Sequence, residues 1–91
     1  MKKSMRLTIQ GSIQPVIFNQ FIRENAEKFN IKGFVRRLDD GRVEVFIEGD
    51  TDSVVQMAAI CKRGPQHSMI RSVDEREEHF QDFKDFKVLG F

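Results

Sequence analysis

The side chains able to do chemistry gather in two short segments. GSIQPVIFN, Gly11 to Asn19, is a glycine-led loop that runs into a helical pattern, and GFVRR, Gly33 to Arg37, is an extended segment ending in two arginines. A loop entering a helix N-terminus offers an anion backbone N–H groups and the positive end of the helix dipole. A guanidinium adds a planar fork of donors matched to phosphate oxygens. A carboxamide such as that of Asn19 can both donate to and accept from a water molecule. Elsewhere the chain is poor in reactive groups. Cys61 is the only cysteine, so no internal disulfide can form, and its apolar setting, VVQMAAIC, reads as a buried thiol. His67 and His79 stand apart without paired-ligand spacing, so no metal site is expected. Asp74, Glu75, Glu77 and Glu78 lack the spacing of a calcium loop and read as a solvated face.

The elements that would hold these segments follow from hydrophobic period. MRLTIQGSI alternates, with Leu7, Ile9 and Gly11 on one face and Arg6, Thr8 and Gln10 on the other, as in a half-buried strand. Pro15 ends that ladder because it has no N–H to donate. From Asn19 onward the period is helical: Phe18, Phe21, Ile22, Ala26 and Phe29 share a face, and Asn30 and Gly33 supply the stop. Asn19 itself reads as the N-cap of this helix. Asp40-Gly41 is a hairpin turn between FVRRL and VEVFIEG. Asp50, Thr51 and Asp52 are cap candidates for a second helix, which Gly64-Pro65 ends. MIRSV reads as a fourth strand, EREEH as a solvated strand end or loop, and FKDFKVLGF as holding the last strand, with Phe86 and Val88 inward. The order is β-α-β-β-α-β with a further short segment to which no role is assigned, so the expected fold is an α+β, ferredoxin-like sandwich with two helices on one face of an antiparallel sheet.

Composition narrows the function. Ninety-one residues suit one domain, read here as 1–91, and 40% hydrophobic with 32% charged residues is ordinary for a globular chain. A net charge of +1 exerts no global pull toward nucleic acid or anionic membrane. No apolar stretch is long enough to span a bilayer and no signal-peptide core follows the basic start, so a cytoplasmic setting is expected. RNA-binding modules share this element order and stack bases on sheet aromatics, for which Phe34, Phe46 and Phe80 are available. RVEVFIEG lacks the pattern of those modules, so nucleic acid is not the expected partner. Phe21, Phe29, Phe46 and Phe86 are the expected aromatic core.

Read together, the two chemical segments resemble the acylphosphatase family. Gly11, Gln14, Val16 and Phe18 match the family loop, Gly-x-Val-Gln-Gly-Val-x-Phe-Arg. Ala26, Gly33, Val35, Asp40-Gly41, Val43, Glu44, Gly49, Gly64-Pro65 and Phe86-Lys87 follow in the family's order. The resemblance implies hydrolysis of an acyl phosphate to carboxylate and phosphate, with no metal or cofactor. An acyl phosphate is already activated because its leaving group is a carboxylate, so the protein need only hold the phosphoryl oxygens and place a water in line. It implies a phosphate-binding loop of Gln14, Pro15, Val16, Ile17, Phe18 and Asn19, and catalytic positions at Asn19 and Arg37.

Those two positions are exchanged relative to the family. The family has the phosphate-holding Arg where this chain has Asn19, and the water-positioning Asn where it has Arg37. Pro15 replaces a loop glycine, and Ile17 stands where many members have glycine. Losing one preorganised donor from such a site costs about 3 kcal/mol, or roughly 10²–10³ in rate. The expectation is therefore a weak acylphosphatase with a remodelled site, in which Arg37 compensates from the strand. Strand alternation puts Arg37 on the side of Gly33 and Val35, with Arg36 pointing away. The competing expectation is a non-catalytic domain of this fold that binds a small anion or a protein partner. A monomer is expected in either case.

Overall fold

The computed structural model describes residues 1–66 and 68–89, so the reading of His67 lies outside the described residues. In chain order the elements are β1 (Lys2–Ser12), α1 (Pro15–Lys28), β2 (Lys32–Arg37), β3 (Val43–Asp50), α2 (Thr51–Arg63), β4 (Met69–Glu78) and β5 (Phe86–Leu89). The strands form one sheet in the order β4-β1-β3-β2-β5. Neighbours are antiparallel except β2 and β5, which run parallel. The expected α+β ferredoxin-like sandwich is the observed one.

Both helices lie on one face of the sheet, α1 over β2 and β5 and α2 over β1 and β3. Period two puts Leu7, Ile9, Val35, Val43, Val45 and Ile47 on that face. Helical spacing turns Phe18, Ile22, Ala26, Val54, Met57 and Cys61 down onto them, and all of these side chains are buried.

Three local readings are corrected. Helix α1 begins at Pro15, not at Asn19. Proline suits a first helical position, because its missing N–H would have had no partner there and its φ is already helical. The N-cap is Gln14, whose side-chain oxygen accepts from the Val16 N–H at 3.1 Å, so Asn19 is not the cap. The acidic run is the solvated strand end, one of the two expected readings: β4 continues to Glu78 and pairs with β1 as far as Ser4. Val88 is exposed rather than inward, whereas Phe86 does pack against the core. Phe21 and Phe29 pack against the core while only partly buried, and Phe46 is fully buried but on the opposite face of the sheet.

That opposite face is closed by a strap, residues 79–85, which links β4 to β5. Glu48, 1% exposed, holds it: the Gln81 N–H donates to Oε2 at 2.9 Å and the Phe83 N–H donates to Oε1, while the Ser4 hydroxyl also donates to Oε2 at 2.9 Å. The Phe83 ring lies 5.4 Å from that of Phe46, which stacks on Phe34 at 5.7 Å. Phe46 is therefore shut off from any base-stacking role. Beside the rings, Arg6 donates to Glu44 at 2.8 Å and to Glu78 at 3.2 Å.

Candidate functional site

The turn from β1 into α1 depends on Gly11. The pairing of β1 with β4 shifts register between Gln10 and Gly11. A Cβ at Gly11 would overlap the Met69 carbonyl oxygen and come within 2.8 Å of the Ile70 Cα. Only glycine lets the two backbones approach so closely at this bulge, which turns the chain out of the sheet. The chain then enters α1 with few of its donors used. The Val16 N–H goes to Gln14 and the Phe18 N–H to the Gln14 carbonyl at 2.9 Å. Among the described residues, the amides of Ile13, Gln14 and Ile17 donate to no other protein group. The first turn of α1 holds no acidic side chain to neutralise the helix dipole. Unpaired donors at an uncompensated helix N-terminus favour an anion.

Arg37 belongs to the same end of the sheet. Ile9 pairs with Val43, and Val43 pairs with Arg37. Strands lie about 4.8 Å apart, so Arg37 is roughly 10 Å across the sheet from the point three residues before β1 ends. Val35 is buried beneath the helices and Arg36 pairs with Glu44 on the strap side, so alternation turns Arg37 toward the helix side. Arg37 is exposed and, among the described residues, has no carboxylate in ion-pair range. Asn19 occupies the second turn of α1 on its buried side, next to Phe18 and one turn before Ile22. It is 9% exposed. No fully buried side-chain polar atom lacks a partner among the described residues, which fits a carboxamide that still reaches water. β1 and β2 both run antiparallel to β3, so Arg37 lies at the end of the sheet from which the chain enters α1.

A cavity of about 260 Å³ adjoins this end of α1, lined by Gln14, Ile17, Pro65, Gln66 and Ser68. A second cleft beside it is lined by Gly11, Ser12, Met69 and Arg71. Pro65, Gln66, Ser68 and Arg71 did not stand out as site residues in the sequence, where Pro65 read only as a helix stop; nothing in their spacing marks them. Neither cavity is lined by Asn19 or Arg37. Cys61 is not available as a nucleophile: burial pushes its thiol up to about 12.

Fold and site together define a ferredoxin-like sandwich with an anion-receptive helix N-terminus. The family model described as Acylphosphatase matches residues 5–88. An acylphosphatase of Syntrophus aciditrophicus is 34% identical over 98% of this chain and 94% of its own length. Among solved structures, an acylphosphatase from Bacillus subtilis superposes with a TM-score of 0.90 at 26% identity, covering 99% of this chain and 100% of its own. One from Coxiella burnetii gives 0.89 at 28% identity, covering 97% and 93%. The chain belongs to the acylphosphatase family. Among the described residues no helix is long and apolar enough to cross a membrane.

Proposed function

We propose that this protein hydrolyses acyl phosphates at the N-terminal end of α1, with the two polar positions of the family exchanged. The Ile13, Gln14 and Ile17 amides and the Arg37 guanidinium hold the phosphoryl oxygens, and the Asn19 carboxamide orients the attacking water. The water oxygen bonds to phosphorus as the bond from phosphorus to the bridging oxygen breaks. That electron pair leaves with the carboxylate, and the protons of the water remain on the released phosphate. The observation that carries this reading is the contrast between two neighbouring arginines. Arg36 is neutralised by Glu44, whereas Arg37, on the opposite side of the strand, has no carboxylate partner among the described residues. A cation without a partner at the same end of the sheet as the unpaired amides suits a dianionic phosphoryl group.

Turnover is expected to be slower than in relatives with arginine in the loop. An arginine at the end of β2 must reach across to the amides, and Pro15 offers no N–H. The test is hydrolysis of benzoyl phosphate by the wild type, by Arg37→Ala, and by the double variant Asn19→Arg/Arg37→Asn, with circular dichroism confirming the fold of each. Arg37→Ala should lose about 10²–10³ in kcat/KM, the size of effect seen when one charge-stabilising donor is removed. The double variant should recover activity to the wild-type level or above. Wild-type turnover no faster than spontaneous hydrolysis would overturn catalysis and leave a family fold that binds anions or partners without turning them over.

A further inference from the structure

We infer that this site selects acyl phosphates with an uncharged, apolar acyl group, which lies in the cavity lined by Gln14, Ile17, Pro65, Gln66 and Ser68. The inference rests on the hydrolytic reading above and adds the substrate class. Ile17 belongs to both halves of the site: its amide is one of the unpaired donors, and its side chain walls the cavity. An acyl phosphate places its acyl carbon one bridging oxygen from phosphorus, so a phosphoryl group held at the amides brings the acyl chain to this cavity.

The cavity's chemistry and size then decide what fits. None of its described lining residues carries a charge. Ile17 adds exposed apolar surface, being 54% exposed on the first turn of α1. Large apolar side chains in the open beside a polar site are the usual mark of a surface that receives apolar ligand atoms. On the far wall the Ser68 hydroxyl donates to the Pro65 carbonyl at 2.6 Å, and the Ser68 N–H donates to the same carbonyl at 3.2 Å. At about 260 Å³ the cavity can take a phenyl ring or a short alkyl chain; benzene fits a protein cavity of about 150 Å³. A carboxylate on the acyl chain would lose hydration there and meet no cation among the described lining residues.

The experiment is a series of kcat/KM values for acetyl, butyryl and hexanoyl phosphate, with succinyl phosphate as the charged member. The three aliphatic carboxylates leave about equally well, so a trend along the series reports binding of the chain. Each buried methylene should raise kcat/KM about threefold to fourfold until the cavity is full, and succinyl phosphate should fall below butyryl phosphate. In Ile17→Ser the ratio of hexanoyl to acetyl phosphate should drop at least about fivefold, whatever happens to the absolute rates. Robust turnover with a flat series, or a ratio unchanged in Ile17→Ser, would overturn the acyl subsite and leave hydrolysis standing. No turnover of any member would overturn both.

Discussion

Replacing Glu48 by alanine should release the strap from the sheet, and the structure sets the size of the effect. The carboxylate is 1% exposed and accepts from the Ser4 hydroxyl and from the Gln81 and Phe83 amides. Hydrogen bonds to a charged group contribute about 1.5–3 kcal/mol each, and a buried donor left without a partner costs about 1–3 kcal/mol. The two strap amides can rehydrate once the strap lifts, and burying the carboxylate itself has a cost that disappears with it. Ser4, buried at the sheet, has no such escape. The net loss should be about 3–4 kcal/mol. For a domain of this size total stability is about 5–14 kcal/mol, and Tm should fall by about 15 °C or more.

Glu48→Gln should cost about half as much, because one amide oxygen remains to accept while the NH₂ group faces donors. Urea denaturation gives the stability change, and hydrogen exchange at the Gln81 and Phe83 amides gives the location. Those two amides should lose protection before the amides of β3. The strap leads into β5, which pairs with β2, so the loosening extends toward the strand that carries Arg37. A Glu48→Ala variant within about 0.5 kcal/mol of wild type, with unchanged exchange at both amides, would refute the latch.

Gly11→Ala should destabilise the protein by about 2 kcal/mol or more, since a Cβ there meets β4 backbone that cannot move aside cheaply; thermal melting checks this, and an unchanged Tm would mean the bulge relaxes. The Cys61 thiol should stay unreactive toward a thiol reagent at pH 8 and react fully in denaturant, because burial holds it protonated; rapid labelling of the folded protein would show that α2 opens. Glu78 is held below its ordinary value of 4.5, first by its hydrogen bond from Arg6. A carboxylate lowered in the folded state stabilises it above that ordinary value, and the contribution fades as pH falls through the lowered one. Glu78→Gln should therefore be less stable than wild type near neutral pH by an amount that shrinks in acid, as followed by urea midpoints from pH 7 down to pH 3; a constant difference would show that the ion pair with Arg6 does not set it.

Period together with turn and stop signals predicted the ferredoxin-like architecture, and the family resemblance agreed with it. Leu7 and Ile9, Val43 to Ile47, and the helical faces through Ile22 and Met57 each carry one unambiguous repeat, and burying those faces together leaves few arrangements. The same alternation placed Arg36 and Arg37 on opposite sides of β2, because direction along a strand is a local property. Helix starts are less legible: Pro15 was read as a strand ending and Asn19 as a cap, but the cap depends on whether Gln14 folds back onto the Val16 amide, which side-chain geometry decides. Glu48 looked like any outward strand residue. Its role comes from a strap more than thirty residues later in the chain, a long-range contact that no local pattern encodes. The cavity wall of Pro65, Gln66 and Ser68 meets Ile17 for the same reason. Residue types and spacing thus picked out the groups proposed to act on an acyl phosphate, while the tertiary structure decided which of the described amides remain unpaired and what surface lies beside them.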